Sequence, residues 1–230
     1  MPFGGETPSG GVKVSGSAWV YWPDDNGVSR YNVKESTDTK TTLFAFGSQD
    51  ETFSVPTAFV RPVSPPNGLA KGDIVWTTVV QGLECALVRE AKEEKAKVDL
   101  YWAGKRETRD VALGELLHPT GKAEFGAPVL FKKGDAWVGG VLVHADKKTA
   151  WIAPGASFGT DEVKVDVASI RPMDVNKRRK KGDKVIACPS DCVAGKILAA
   201  KDQGLTYEVQ DGDDGPVMDV SACAISSIPK

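Results

Sequence analysis

"ASIRPMDVNKRRKKGDKVIA", residues 168–187, ends one apolar segment and opens another. ASIRP closes on Pro172, and KGDKVIA begins on a Lys-Gly-Asp. Five consecutive basic residues, Lys177, Arg178, Arg179, Lys180 and Lys181, lie between. Whether they form a nucleic-acid grip, a nuclear address or a joint between folded units depends on whether the close and the start recur.

Both recur. AFVRP ends at Pro62, GELLHP at Pro119, ASIRP at Pro172 and SSIP at Pro229, in steps of 57, 53 and 57 residues. Starts lie at Gly16, Gly72, Gly126 and Gly182, in steps of 56, 54 and 56. A third landmark, a turn glycine, sits at Gly47, Gly104, Gly155 and Gly212, 15, 15, 17 and 17 residues before each closing proline. Three landmarks kept in order across four copies define an internal repeat of about 55 residues.

Each copy reads as short strands. VSGSAWVYW, GDIVWTTV, APVLFKK and GDKVIAC are rich in β-branched and aromatic residues. Polar turns then separate paired apolar runs, as in ALVREAKEEKAKVDLYW and GKILAAKDQGLTYEVQD, which is a hairpin signal. REAKEEKAK has a helix-like composition but reads as a solvated hairpin end. No segment sustains helical periodicity. Five short strands in some 50 residues, left open, would expose two edges. The expectation is that each copy closes into a small barrel around its own core.

The chain has 230 residues, 41% hydrophobic and 26% charged, a globular composition. A net charge of −2 argues against a protein built mainly to coat phosphate backbones. No apolar run is long enough for a membrane helix. The Gly-, Ser- and Pro-rich residues 1–13 lack a signal-peptide pattern and read as a loose leader. The four cysteines, Cys85, Cys188, Cys192 and Cys223, are then expected as reduced thiols inside a cell.

With the landmarks in place, KGDIVW…YWAGKRE…GELLHP and APVLFKKGDAWVGGVLV…ASIRP resemble the Tudor and agenet branch of the SH3-like barrels. The resemblance implies an all-β chain of four tandem five-stranded SH3-like (Tudor-like) barrels, at residues 14–64, 70–120, 124–173 and 180–230. It also implies a non-enzymatic reader, intracellular (nuclear if eukaryotic, otherwise cytoplasmic), whose aromatic cage receives a cationic, methylated or unmodified, lysine or arginine of a protein tail. Aromatic faces suit such a cation because their quadrupoles are negative. In copy one the matching residues are Trp22, Tyr31, Phe44 and Phe46, with Asp24, Asp25 or Asp50 as a neighbouring carboxylate. In copy three they are Phe131, Trp137 and Trp151, with Ala153 in place of a fourth aromatic. Copy two keeps only Tyr101 and Trp102. Copy four has Cys188, Val193 and Val209 at the cage positions and is expected to carry no cage. The competing reading makes the aromatics core or inter-unit packing.

The basic run falls between copies three and four. Lys-Gly-Asp also opens copy two at Lys71, so Lys181 belongs to the repeat and the excess is Lys177 to Lys180. A solvated linker is the plain reading, and a nucleic-acid patch through residues 177–181 the functional alternative. A third reading makes the array a structural scaffold. Cys188 and Cys192 have only Cys223 as a further ligand in their copy, which falls short of a structural zinc set. His118 stands where Arg61 and Arg171 stand in other copies. His144 lies in an apolar strand. Neither has a serine–acid or cysteine–acid neighbour suited to nucleophilic catalysis. No cofactor is called for.

Overall fold

The structure, a computed structural model, describes residues 8, 10–22, 27–79, 82–102, 105–118, 124–154 and 162–229. Twenty strands form four antiparallel five-stranded sheets, with no α-helix among the described residues. The first sheet contains β1 (Ser17–Trp22), β2 (Gly27–Ser36), β3 (Lys40–Phe44), β4 (Thr52–Pro56) and β5 (Val60–Pro62). The second holds β6 (Ile74–Thr77), β7 (Glu84–Ala91), β8 (Lys95–Trp102), β9 (Lys105–Ala112) and β10 (Leu116–Leu117). The third holds β11 (Pro128–Lys133), β12 (Ala136–Ala145), β13 (Thr149–Pro154), β14 (Val163–Asp166) and β15 (Arg171–Pro172). The fourth holds β16 (Lys184–Ala187), β17 (Val193–Lys201), β18 (Thr206–Asp211), β19 (Val217–Ser221) and β20 (Ile225–Ser227).

The repeat is physical down to single backbone positions. The start glycines Gly16, Gly72, Gly126 and Gly182 all adopt positive φ, between 74° and 96°, where a side chain would be strained. In the two Lys-Gly-Asp starts the aspartate closes the turn. Asp73 accepts from the Ala70 amide and Asp183 from the Lys180 amide, each at 2.8 Å. The second strand of every copy then breaks register once, after Val33, Val88, Leu142 and Ile197. Such a bulge bends the strand and sharpens its twist. A one-turn 3-10 segment precedes each last strand, at Thr57–Phe59, Leu113–Glu115, Val167–Ser169 and Ala222–Ala224. The arginine of the closing Arg-Pro secures that turn. Arg61 donates to the carbonyls of Ala58 and Val60, and Arg171 to those of Ala168 and Ile170.

The expectation of four separate SH3-like (Tudor-like) barrels is overturned. The four sheets are arranged as the blades of a four-bladed β-propeller. Within each sheet the strand order is fourth, third, second, first, fifth, so the fourth and fifth strands are opposite edges. No ladder joins these two strands among the described residues. The reason lies in β1, whose central residues Ala18, Trp19, Val20 and Tyr21 are all buried. Ala18 and Val20 face a core within blade 1, with Tyr31, Leu43 and Val55. Trp19 and Tyr21 face outward, packing with Phe59 against Val143 and Trp151 of blade 3. A lone barrel has one inside. Here the first strand of each sheet is buried on both faces, and in blade 1 the second face packs against a neighbouring blade.

Contacts join blade 1 to 2, 2 to 4, 4 to 3 and 3 to 1, and also 2 to 3, where Trp76 Nε1 donates to the Gly126 carbonyl at 3.0 Å. Blades 1 and 2 meet through the Gly82 amide on Ser29 Oγ and the Arg30–Glu115 ion pair. Blades 2 and 4 share the Cys85–Cys223 disulfide. Blades 3 and 4 approach where Gly139 faces Cys188, so closely that a Cβ on Gly139 would lie 2.9 Å from the Cys188 Cβ. Leu83, Leu117 and Val141, from blades 2 and 3, join the large core around blade 4 to the blade 1–3 core. At the chain start, Gly11 lies directly against Thr57.

Candidate functional site

In blade 1 the structure brings three of the four expected aromatics to one groove. Tyr31, Phe44 and Phe46 line a cavity of about 360 Å³ with Arg30, Asn32 and the turn 45–49. Phe44 ends β3, while Phe46 sits in the following turn and is 58% exposed. The two thus reach the groove from strand and turn rather than from one strand face. Lys34 places its ammonium 5.9 Å from the Phe44 ring, within cation–π range. Arg30 is held by Glu115 at 2.7 Å. The groove therefore has aromatic walls and no carboxylate among its lining residues. Asp50 does not line it, and Asp24 and Asp25 lie outside the described residues.

Trp22 stands behind this wall. It stacks on Phe53 at 3.8 Å, and Phe53 meets Tyr31 edge-on at 5.1 Å. Trp22 Nε1 is buried without a hydrogen-bond partner among the described residues. Phe53 is the residue that sequence reasoning did not place beside the cage. Its signal was the alternation with Val55 in β4, which puts both on the face turned toward Tyr31 and Leu43.

The copy-three set is dispersed. Phe131 is fully buried in the core of blade 3 with Leu142 and Ile152. Trp137 packs toward the blade 4 core and carries Lys132 over its ring at 5.2 Å. Trp151 lies at the blade 1–3 interface, 5.1 Å from the ring of His144. These three rings belong to three different packing layers.

The basic run is mainly a joint. Arg179 is 6% exposed and ion-paired to Asp174. Arg178 donates to the carbonyls of Gln203 and Gly72, each at 2.7 Å, and so pins blade 4 to blade 2. Asn176 accepts from the Ile74 amide at 2.7 Å, another tie to blade 2. Lys177 reaches Ser227 at 2.8 Å. Lys180 and Lys181 are exposed. Asp174 collects the joint: it accepts from Arg179, from Ser226 and from both the amide and hydroxyl of Ser227. Partial burial works against its charge, but the Arg179 and Ser227 hydrogen bonds outweigh it and hold the carboxyl well below the usual carboxylate range.

All four cysteines are bonded, Cys85 to Cys223 and Cys188 to Cys192, which corrects the expectation of reduced thiols. No cluster of three or more metal-ligating side chains occurs among the described residues. His118 approaches Asp73 at 3.5 Å instead of bonding its own 3-10 turn as Arg61 and Arg171 do. Among the described residues no helix is long and apolar enough to cross a membrane. No family model matches the chain, and no curated protein matches it.

Proposed function

We infer that this chain is a non-catalytic protein-binding module, and that the blade 1 groove receives a cationic side chain from a partner segment. The observation that carries this reading is Phe46, a large aromatic left in solvent beside Phe44 and Tyr31 at the mouth of a groove. Phe44 already holds one ammonium, that of Lys34, so the face is one on which a cation rests. The groove offers aromatic faces without a carboxylate. That favours a methylated ammonium, which keeps its charge but donates few or no hydrogen bonds, over an unmodified lysine, which would lose its water without replacement.

Titration with a trimethyl-lysine peptide and its unmodified counterpart tests this. The methylated peptide should bind about tenfold more tightly, the worth of a cation–π contact of ~1–2 kcal/mol. F46A should abolish the difference. Equal binding of the two peptides, or full discrimination by F46A, would remove the reading. Binding of DNA instead of either peptide, lost with rising salt and lost in a K177Q/K180Q/K181Q variant, would transfer the function to the joint.

A further inference from the structure

We propose that the cleft between blades 2 and 4 is a second binding site, specific for a primary alkylammonium group. The cleft has a volume of about 280 Å³ and is lined by Glu84, Cys85, Tyr101, Leu205, Thr206, Asp219 and Ser221. Its walls come from both blades, so it exists only because the blades are joined. Cys85, bonded to Cys223, is part of its lining, and the loop Asp202–Gly204 leads directly into its Leu205 wall. Asp202 and Gln203 are the described non-glycine residues with positive φ, 49° and 61°. Such conformations persist where surrounding contacts enforce them. Here Asp202 accepts from Tyr101 and Arg106, and Gln203 from Arg89. The Tyr101 ring, 39% exposed, is thereby fixed by its own hydroxyl against the opposite blade.

The charges in the cleft do not cancel. Asp219 shares Lys201 with Glu208, leaving that trio one negative charge in excess. Glu84 is partly buried, and no hydrogen bond or ion pair reaches its carboxylate among the described residues. Burial pushes its pKa up, as expected of a carboxylate that has lost water without gaining a partner. No basic residue lines the cleft. An unpartnered carboxylate, an aromatic face, two hydroxyls and an apolar wall at Leu205 together suit a cation that donates hydrogen bonds and carries an aliphatic stem. This is the opposite preference to that of the blade 1 groove, which has no carboxylate to receive a donor.

The test is amide chemical-shift mapping of the intact chain with n-butylammonium, with 1-butanol as the uncharged probe, and with an acetylated, amidated Gly-Gly-Lys-Gly-Gly peptide. Butylammonium should produce saturable shifts at Glu84, Tyr101, Thr206 and Ser221, and butanol should not. E84Q should weaken this binding at least about tenfold, the cost of a lost charge-assisted contact, with Phe46 and its neighbours unaffected. Tighter binding of the peptide identifies a protein lysine as the ligand, and tighter binding of the free amine a small molecule. Equal shifts from butanol, no saturable shift in the unsubstituted protein, or unweakened binding by E84Q would overturn the proposal. Because the unsubstituted protein is decisive by itself, a poorly folding variant does not protect it. Failure here leaves the blade 1 groove untouched, since the two sites share no residue.

Discussion

Arg179 and Asp174 form an ion pair in which one partner is buried and the other is not: their side chains are 3% and 38% exposed. The asymmetry gives the two truncations different costs. D174A leaves a buried guanidinium without its counter-charge and also strips Ser226 and Ser227 of their acceptor. It should cost about 3 kcal/mol or more in urea unfolding. R179A leaves a carboxylate that is still bonded to Ser226 and Ser227 and partly solvated. Screening reduces its loss to about 1–2 kcal/mol. Equal costs would show that the pair does not organise the joint.

The same carboxylate sets an acid limb. Its folded pKa is depressed, so its stabilisation is complete above the ordinary aspartate value of about 3.9 and declines as pH falls below it. Unfolding midpoints measured from pH 6 to pH 3 should fall less steeply in D174N than in the unsubstituted chain, about 1.4 kcal/mol of stability corresponding to each pKa unit of difference.

His144 predicts a second, milder limb. It is buried between Trp151 and the blade 1 interface, with the Ala58 backbone beside its ring. Burial first, and then the positive charge of Arg61, lower its pKa, while the Ala58 backbone and Asp146 act weakly the other way. A base depressed in the folded state is most stabilising above its unfolded value near 6.5, and that stabilisation is lost as pH drops through the folded value. Thermal midpoints should therefore decline between pH 7 and pH 5, and H144F should flatten this decline. An unchanged slope in H144F would place the titration elsewhere.

The two disulfides should differ in weight. Cys85 and Cys223 are 138 residues apart, whereas Cys188 and Cys192 are separated by 4. Chain-entropy reasoning gives the long closure about 4–5 kcal/mol and the short one about half that. C85S/C223S should lower the denaturant midpoint more than C188S/C192S. It should also disturb the Glu84–Tyr101 cleft, visible as shifted Tyr101 resonances.

Trp22 and Phe46 should separate stability from binding. W22A removes the ring that stacks on Phe53 and should cost about 2–3 kcal/mol. F46A removes an exposed ring and should change stability by less than about 0.5 kcal/mol. A stability loss in F46A matching that of W22A would make Phe46 a packing residue and not part of a docking groove.

The fourfold repeat, its β character and the start turns were legible in the chain itself, while the turn glycines Gly104 and Gly155 lie outside the described residues. The start glycines need a left-handed backbone, Lys-Gly-Asp closes its own turn, and each hairpin writes alternation around polar residues. These are short-range demands, met within a few residues of the side chain that makes them. The partner of an outward face is not such a demand. Ala18 and Trp19 look alike to periodicity, and only packing sends one into its own blade and the other against Val143, more than a hundred residues on. The same holds for Arg178, which reads as one more charge in a basic run and proves to be a tie to Gly72. The Glu84–Tyr101–Asp219 cleft carries no sequence signature, because its walls belong to two blades that meet only in three dimensions. Local conformational preference is encoded residue by residue, whereas the choice of which surfaces meet is decided by the burial of whole faces against each other.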